Sequence, residues 1–419
     1  MRQFTMTAPV GILFAAAFST TAILAEGTAA TDPLSLARAC DTAASHSGDD
    51  LPDGVTGTDF ASIDPTEAVA ACARARLVLP EDGRIAYNLA RALQAGDDLA
   101  AAREAFLAAQ DLGHARAGLG LGLLYRDDNG LPFGPADSIA PIEDAARAGV
   151  ADAAYELGWA YAGGLGVEAD AGQALHWYRR AAVQGLPQAQ FELGWAAETG
   201  IGMAADAAVA AGWYGKAAEA GNLMAMNNLG WLHAQGEGVA RDPERAVALY
   251  RAAAEGGEPV AMSNLAWMLE NGIGTTQDTD EAARWYLSAA EAGEAQSMLA
   301  LGNLYLLGQG VERDAVTALR WFHKARMAGR AEALSFLGEV YEKSDQKRDP
   351  ERAADFYIRA LEAGDAWPAS RMAASWDDET ARALQRLLQA AGHYQGPIDG
   401  VIGGGSRAAM RAVLAPGDN

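Results

Sequence analysis

Along most of this chain the apolar positions follow a helical period, and the same arrangement returns at a fixed interval. Ala153, Leu157 and Tyr161 stand four residues apart, which places them on one face of a helix. The alanine returns as Ala117, Ala189, Ala225, Ala261 and Ala333, with Ser297 in one unit, and the leucine as Leu121, Leu193, Leu229, Leu265, Leu301 and Leu337. The residue after each leucine is Gly122, Gly158, Gly194, Gly230, Ala266, Gly302 or Gly338. Glycine there costs roughly 1 kcal/mol of helix propensity, so a column restricted to Gly and Ala predicts a close helix crossing. A repeat of this length and register predicts a solenoid.

A second helix follows in each unit. It is written WYRRAAVQG from Trp177, then WYGKAAEAG, LYRAAAEGG, WYLSAAEAG and WFHKARMAG. Trp177, Tyr178, Ala181 and Ala182 fall on one side of that helix, with aromatics to fill space and alanines to admit a neighbour. Asp170, Asp206, Asp242, Asp278, Asp314 and Asp349 precede these helices and predict N-caps. Gly185, Gly221, Gly257, Gly293 and Gly329 follow them and predict left-handed stops. The Gly-rich loops between the helices follow helices rather than strands, and no GKS or GKT appears, so they predict architecture rather than a phosphate site.

The ends of the chain differ from the middle. Residues 1–25 hold one basic residue, Arg2, an apolar stretch and then small residues up to Ala25, the layout of a secretory signal cut before Glu26. A membrane anchor is the weaker reading, because Ser19, Thr20 and Thr21 interrupt a run already shorter than ~20 apolar residues. The mature chain is therefore expected in the periplasm, with no membrane span. Cys40 and Cys72 are the two cysteines, each in a short helical pattern opened by Asp-Pro. In an oxidising compartment a disulfide stapling these helices is expected; two separately buried thiols are the alternative.

Composition narrows the chemistry. A net charge of -23 on 419 residues argues against nucleic acid and anionic lipid as partners. The six histidines are scattered, with no metal-ligand spacing, and neither a metal nor a cofactor is expected. No Ser-x-x-Lys stands at a helix start, and no His–Asp–nucleophile set can be assembled, so no catalytic residue is assigned.

With these columns in place, residues 117–368 resemble the Sel1-like repeat, a relative of the tetratricopeptide repeat, in seven units; the match is fullest at Ala153–Gly185. The resemblance implies an all-α protein, a right-handed α-solenoid superhelix of helix-turn-helix repeats. Residues 26–116 are read as an N-terminal helical cap, with the cysteine pair and a unit of the tetratricopeptide kind. Residues 378–419 resemble the peptidoglycan-binding module of cell-wall hydrolases through Leu384, Gln385, Leu388, Gly392, Tyr394, Gly396, Asp399, Gly400, Gly403, Ser406 and Ala409. They depart from it at Gly404, Gly405, Val413 and Leu414, which leaves either a working wall-binding module or a helical cap.

These resemblances imply a non-enzymatic scaffold or regulator that holds an envelope protein or peptide in the solenoid groove and is localised by peptidoglycan. The rival is a wall-active or β-lactam-hydrolysing enzyme, although the cysteine pairs carried in the repeats of such relatives are missing here. For wall binding, Tyr394 is expected to offer a flat surface, Arg407 a fork for a carboxylate, and Asp399 to shape the turn. For partner binding, Trp159, Trp195, Trp231 and Trp267 occupy one repeat position, about 200° around the helix from the leucine. Two readings stand for this column: an aromatic stripe along the groove, or packing between adjacent first helices.

Overall fold

A computed structural model describes residues 32–414, apart from 50, 52–54 and 128. The expected leader, residues 1–25, lies outside the described residues. Every regular element among them is helical, and consecutive helices pack in pairs, as in a solenoid. The chain divides into two compact units: residues 1–157 with 165–168, and residues 158–164 with 169–419.

The first unit holds α1 (Pro33–Ala44), α2 (Pro65–Val78), α3 (Gly83–Ala95), α4 (Leu99–Asp111), α5 (Ala117–Arg126) and α6 (Pro135–Arg147). Asp32 and Asp64 cap α1 and α2, each with proline in the first turn, where the missing N–H costs nothing. Cys40 and Cys72 are joined and fully buried between these helices. Closing a loop of this length, 32 residues in sequence, contributes about 3–4 kcal/mol in the chain-entropy model. Beside the bond, buried Asp41 pairs with Arg84 and accepts from Asn88 (2.9 Å), while Arg91 donates to the carbonyls of Ala44 (2.6 Å) and Thr58 (2.9 Å). The pair α3–α4 occupies the place of the expected tetratricopeptide-like unit.

α7 (Ala151–Gly163) contributes to both units. The second unit continues with α8 (Ala171–Ala182), α9 (Pro187–Thr199), α10 (Ala207–Glu219), α11 (Leu223–Gln235), α12 (Pro243–Glu255), α13 (Pro259–Asn271) and α14 (Thr279–Glu291). It ends with α15 (Ala295–Leu307), α16 (Ala315–Met327), α17 (Ala333–Lys343), α18 (Pro350–Glu362), the one-turn α19 (Trp367–Ser370), α20 (Asp378–Ala390) and α21 (Gly404–Leu414). Odd-numbered helices from α7 to α17 are the first of each pair. Within this unit α9 touches α11, α11 touches α13 and α15 touches α17, so first helices form a layer of their own.

The glycine column has a direct cause. A Cβ on Gly194 would lie 2.5 Å from the ring of Tyr214, one on Gly158 2.6 Å from Tyr178, one on Gly302 2.6 Å from Phe322, and one on Gly338 2.6 Å from Tyr357. In each case a ring of the second helix occupies the space a side chain on the glycine would need. The aspartate column caps all six second helices of this unit with its side chains, Asp170 through Asp349. The loop glycines serve close approach: Gly238 (φ 70°) and Gly310 (φ 65°) run against the backbone at Ala207 and Thr279, the starts of second helices one repeat earlier.

Gly194→Ala is therefore expected to lower stability by about 1–3 kcal/mol through overpacking, beyond the helix propensity it gains. Gly230→Ala, where the added atom meets Tyr250 at 2.9 Å rather than 2.5 Å, should cost less, because the ring has a smaller distance to give. Thermal melts of the two variants side by side check the contrast.

Candidate partner-binding site

Trp159, Trp195, Trp231 and Trp267 lie on α7, α9, α11 and α13, and are 43, 44, 38 and 49 % exposed. All four belong to the second unit. Leu193, Leu229 and Leu265, two positions earlier, are buried. The 200° rotation between the positions turns each indole out of the core. Part of each indole is thus covered by neighbouring structure and part is open to solvent. The column ends as expected, with Asn303 and Glu339 at the next two copies.

One turn before each indole stands a polar residue: Glu156, Glu192, Asn228 and Asn264. Sequence reading passed over this column, although the repeat alignment carries it. Glu156 pairs with Arg126 (2.6 Å). The Glu192 carboxyl is held above the usual carboxylate range by burial, and no cation pairs with it among the described residues. The asparagines belong to a chain of hydrogen bonds that crosses three repeats. Asn264 Nδ2 donates to Asn227 Oδ1 (2.8 Å), Asn227 Nδ2 to Asn228 Oδ1 (3.2 Å), and Asn228 Nδ2 to Tyr214 Oη (3.1 Å). Tyr214 Oη in turn donates to Glu198 Oε2 (2.6 Å). Burial and this carboxylate push the tyrosine pKa far up, so the phenol stays a neutral donor. The polar groups between the indoles are thus fixed in orientation by the repeat itself.

At the far end α20 and α21 pack against α18 and share a core with it, through Tyr357, Trp376, Leu384, Ile402 and Met410. The segment therefore caps the stack, whatever else it does. Tyr394 is a core residue here: its ring is buried and its hydroxyl donates to the Pro397 carbonyl (3.0 Å), so the expected open platform is absent. Gly396 and Gly405, which flank the motif turn, bring backbone against the ring and cover it. Asp399 shapes the turn, accepting from Gln385 Nε2 (2.9 Å) and the Val401 amide (2.9 Å), contacts that lower its pKa. Arg407 is half-buried and reaches the Arg371 carbonyl (3.5 Å). Ser406 does not cap α21, which starts two residues earlier at Gly404; its buried hydroxyl receives Gln385 Nε2 (3.3 Å).

Between the last repeat and this cap lies a buried ion pair, a feature the sequence reading missed. Arg371 donates to Glu342 (2.5 and 3.0 Å), with side chains 4 % and 0 % exposed. Tyr357 Oη donates to the same carboxylate (2.6 Å), the Asp377 amide donates to it (2.9 Å), and Trp376 covers the guanidinium (4.3 Å to its ring centre). A signal existed: Glu198, Glu270 and Glu342 recur at alternate repeats, and each accepts from the tyrosine of its second helix.

This architecture defines a repeat scaffold with a patterned first-helix face. The family profile described as Sel1 repeat matches residues 151–186, 187–222, 223–258, 259–294, 294–329 and 331–365. The chain belongs to the Sel1 repeat family. Six units are matched, one fewer than the seven read from the sequence. The unit at 117–150 forms a helix pair, α5–α6, but has Gly134 where the others have a capping aspartate. Among solved structures the chain is similar to c5321, described as a protective antigen present in uropathogenic Escherichia coli strains displaying an SLR fold. That likeness has 26 % identity and a TM-score of 0.68, over 83 % of this chain and 74 % of that one. It is also similar to a Sel1 repeat protein from Oxalobacter formigenes, with 30 % identity and a TM-score of 0.51, over 59 % of this chain and 96 % of that one. No curated protein sequence matches it.

Removing one member of a buried ion pair strands the other, which typically costs 3–5 kcal/mol. Arg371→Met should therefore loosen the cap selectively. Hydrogen exchange is expected to show protection lost in α20 and α21 while α10 to α15 stay protected.

Proposed function

We propose that this protein is a non-catalytic scaffold of the cell envelope that holds a partner protein or peptide across its first-helix face. The observation that carries this reading is the column of four exposed indoles, one per repeat, with oriented asparagine amides and an unpaired glutamate one turn away. Tryptophan offers a large rigid contact area at low entropic cost and is enriched among residues that dominate binding energy. Repetition matters too. Adjacent first helices lie about 8–10 Å apart by ordinary packing, so an extended partner meets a new indole about every three residues. Membership of the Sel1 repeat family supports a role in protein–protein interaction. Among the described residues no helix is long and apolar enough to cross a membrane.

Placement in the periplasm rests on the leader-like residues 1–25, and attachment to peptidoglycan on the residue pattern of 378–419. With Tyr394 in the core, the proposed wall contact moves to Arg407 and the neighbouring turn.

Trp195→Ala and Trp231→Ala are each expected to weaken partner capture from an envelope extract by about 2 kcal/mol or more, roughly thirtyfold. Their melting temperatures should stay near that of the parent. A loss of several kcal/mol of stability instead, the cost of truncating a core tryptophan, would return the column to packing. For the wall contact, the full chain is expected to co-sediment with purified sacculi and Arg407→Ala to reduce the bound fraction. Equal sedimentation with and without sacculi would leave α20 and α21 as a cap alone.

A further inference from the structure

The stack does not stop cleanly after α18. That helix ends on Gly364 in the left-handed region (φ 90°), like the second helices before it. Asp365 then accepts from the Trp367 amide (2.9 Å), just as Glu294 at the start of α15 accepts from Gln296 (2.9 Å). A further first helix therefore begins and is abandoned after one turn, as α19. Beside α17, where its remainder would lie, a cavity of about 200 Å³ is left. It is lined by Glu332, Ser335, Phe336, Glu339, Asp365 and Trp367, all within the second unit.

The walls are apolar and the polar groups carry one sign. Phe336 is stacked on Phe322 (5.1 Å between ring centres), and the Trp367 indole is 38 % exposed. Glu332 lies 3.4 Å from Arg330, and Glu339 lies 2.5 Å from Lys343. Lys343 is exposed and Arg330 half-buried at the surface, and such surface pairs contribute little. Arg371 lies 5.3 Å from the Trp367 ring but is committed to Glu342. Asp365 differs from the other two acids. Its oxygens accept from Ser335 Oγ (2.5 Å) and the Trp367 amide, both neutral donors, and no lysine or arginine pairs with it among the described residues. A half-buried carboxylate without a counter-charge thus sits beside an aromatic wall.

We propose that this cavity binds an alkylguanidinium or alkylammonium group, with the aliphatic stem between Phe336 and Trp367 and the charge at Asp365. Each part of that ligand answers a part of the site. The stem covers apolar wall, the cation gains attraction from the indole face, and the carboxylate gains the counter-charge it lacks. A neutral apolar ligand would desolvate Asp365 with nothing in return, and an anion would be repelled. The chain's charge of -23 favours cations in the encounter. The group is carried either by an arginine or lysine of a bound peptide or by a free small amine or guanidine. The site does not depend on the tryptophan column.

Titration calorimetry on the full chain tests this with acetyl-arginine amide, uncharged acetyl-norleucine amide, n-butylguanidinium and a Gly-Arg-Gly peptide. The arginine compound is expected to bind about tenfold more tightly than the norleucine one. Asp365→Asn retains an acceptor oxygen for the Trp367 amide and removes the charge, so it should weaken arginine binding about tenfold at an unchanged melting temperature. Trp367→Ala should weaken it similarly, and Trp195→Ala should leave it unaltered, which separates this site from the indole column. Tighter binding of Gly-Arg-Gly than of n-butylguanidinium assigns the cavity to a peptide side chain; equal binding assigns it to a free small cation. Equal affinity for arginine and norleucine compounds, or no effect of Asp365→Asn, overturns the proposal. Should Trp367→Ala fail to fold, the Asp365→Asn result decides alone.

Discussion

A ring lying on a glycine is the contact from which the rest of this molecule follows. In the repeats of the second unit that carry glycine after the first helix's core leucine, an aromatic of the second helix takes the space a side chain would need, and even a methyl group there would press on it. The glycine sacrifices roughly 1 kcal/mol of helix propensity, and the buried ring more than offsets it, since a large side chain fully removed from water contributes about 1.5–3 kcal/mol. The other conserved-looking columns serve that seat. The aspartate cap starts the second helix at the right residue, and the paired loop glycines let the chain reverse tightly enough for the ring to land. Ala266 is the exception: Tyr286 is buried there all the same, so that one repeat admits a methyl group.

Because stacking is handled by leucine, glycine and ring, one strip of each first helix is excused from it. That strip carries Trp195, Trp231 and Trp267, and one turn earlier Glu192, Asn228 and Asn264. The residue one turn before the indole changes from Glu192 to Asn228 and Asn264 while the packing columns hardly change, so the strip can vary without touching the core. The asparagine chain is an exception of a useful kind: by linking Asn264 to Glu198 through two other amides and Tyr214, it ties the orientation of the strip to the buried ring itself.

The end of the stack shows the same economy with different chemistry. A repeat array must cover its last apolar face, and here α20 and α21 do so over α18. Glu342 stands where Glu198 and Glu270 stand, and still accepts from its tyrosine, but the cap adds Arg371 as a counter-charge. A hydrogen bond repeated along the solenoid has become a buried ion pair that joins repeat to cap. The abandoned first helix at Trp367 belongs to this transition. The cap replaces the next repeat without filling all of its space, and the remaining cavity faces a carboxylate that no neighbour neutralises.

Much of this was legible in the sequence, because a period of 36 residues shows each requirement several times over. The helix pairs, the six aspartate caps, the left-handed glycine stops and the architectural loops all follow from local rules on spacing, capping and backbone freedom, whereas the sequence left two separate thiols as an alternative to the pairing of Cys40 with Cys72. Local rules also said that the tryptophan column faces away from the leucines, but not whether a neighbouring helix covers it; that depends on how repeats sit against each other. The tertiary structure alone showed that the indoles are partly exposed, that Tyr394 is core rather than platform, and that Ser406 supports a turn rather than caps a helix. It also brought together Glu342 with Arg371, and Asp365 with Ser335, residues about thirty apart at the end of the last repeat and just beyond it. Where the repeat continues, each contact is copied and the sequence announces it. Where the repeat ends, contacts are made once, between residues with no register to connect them, and only the folded chain shows them.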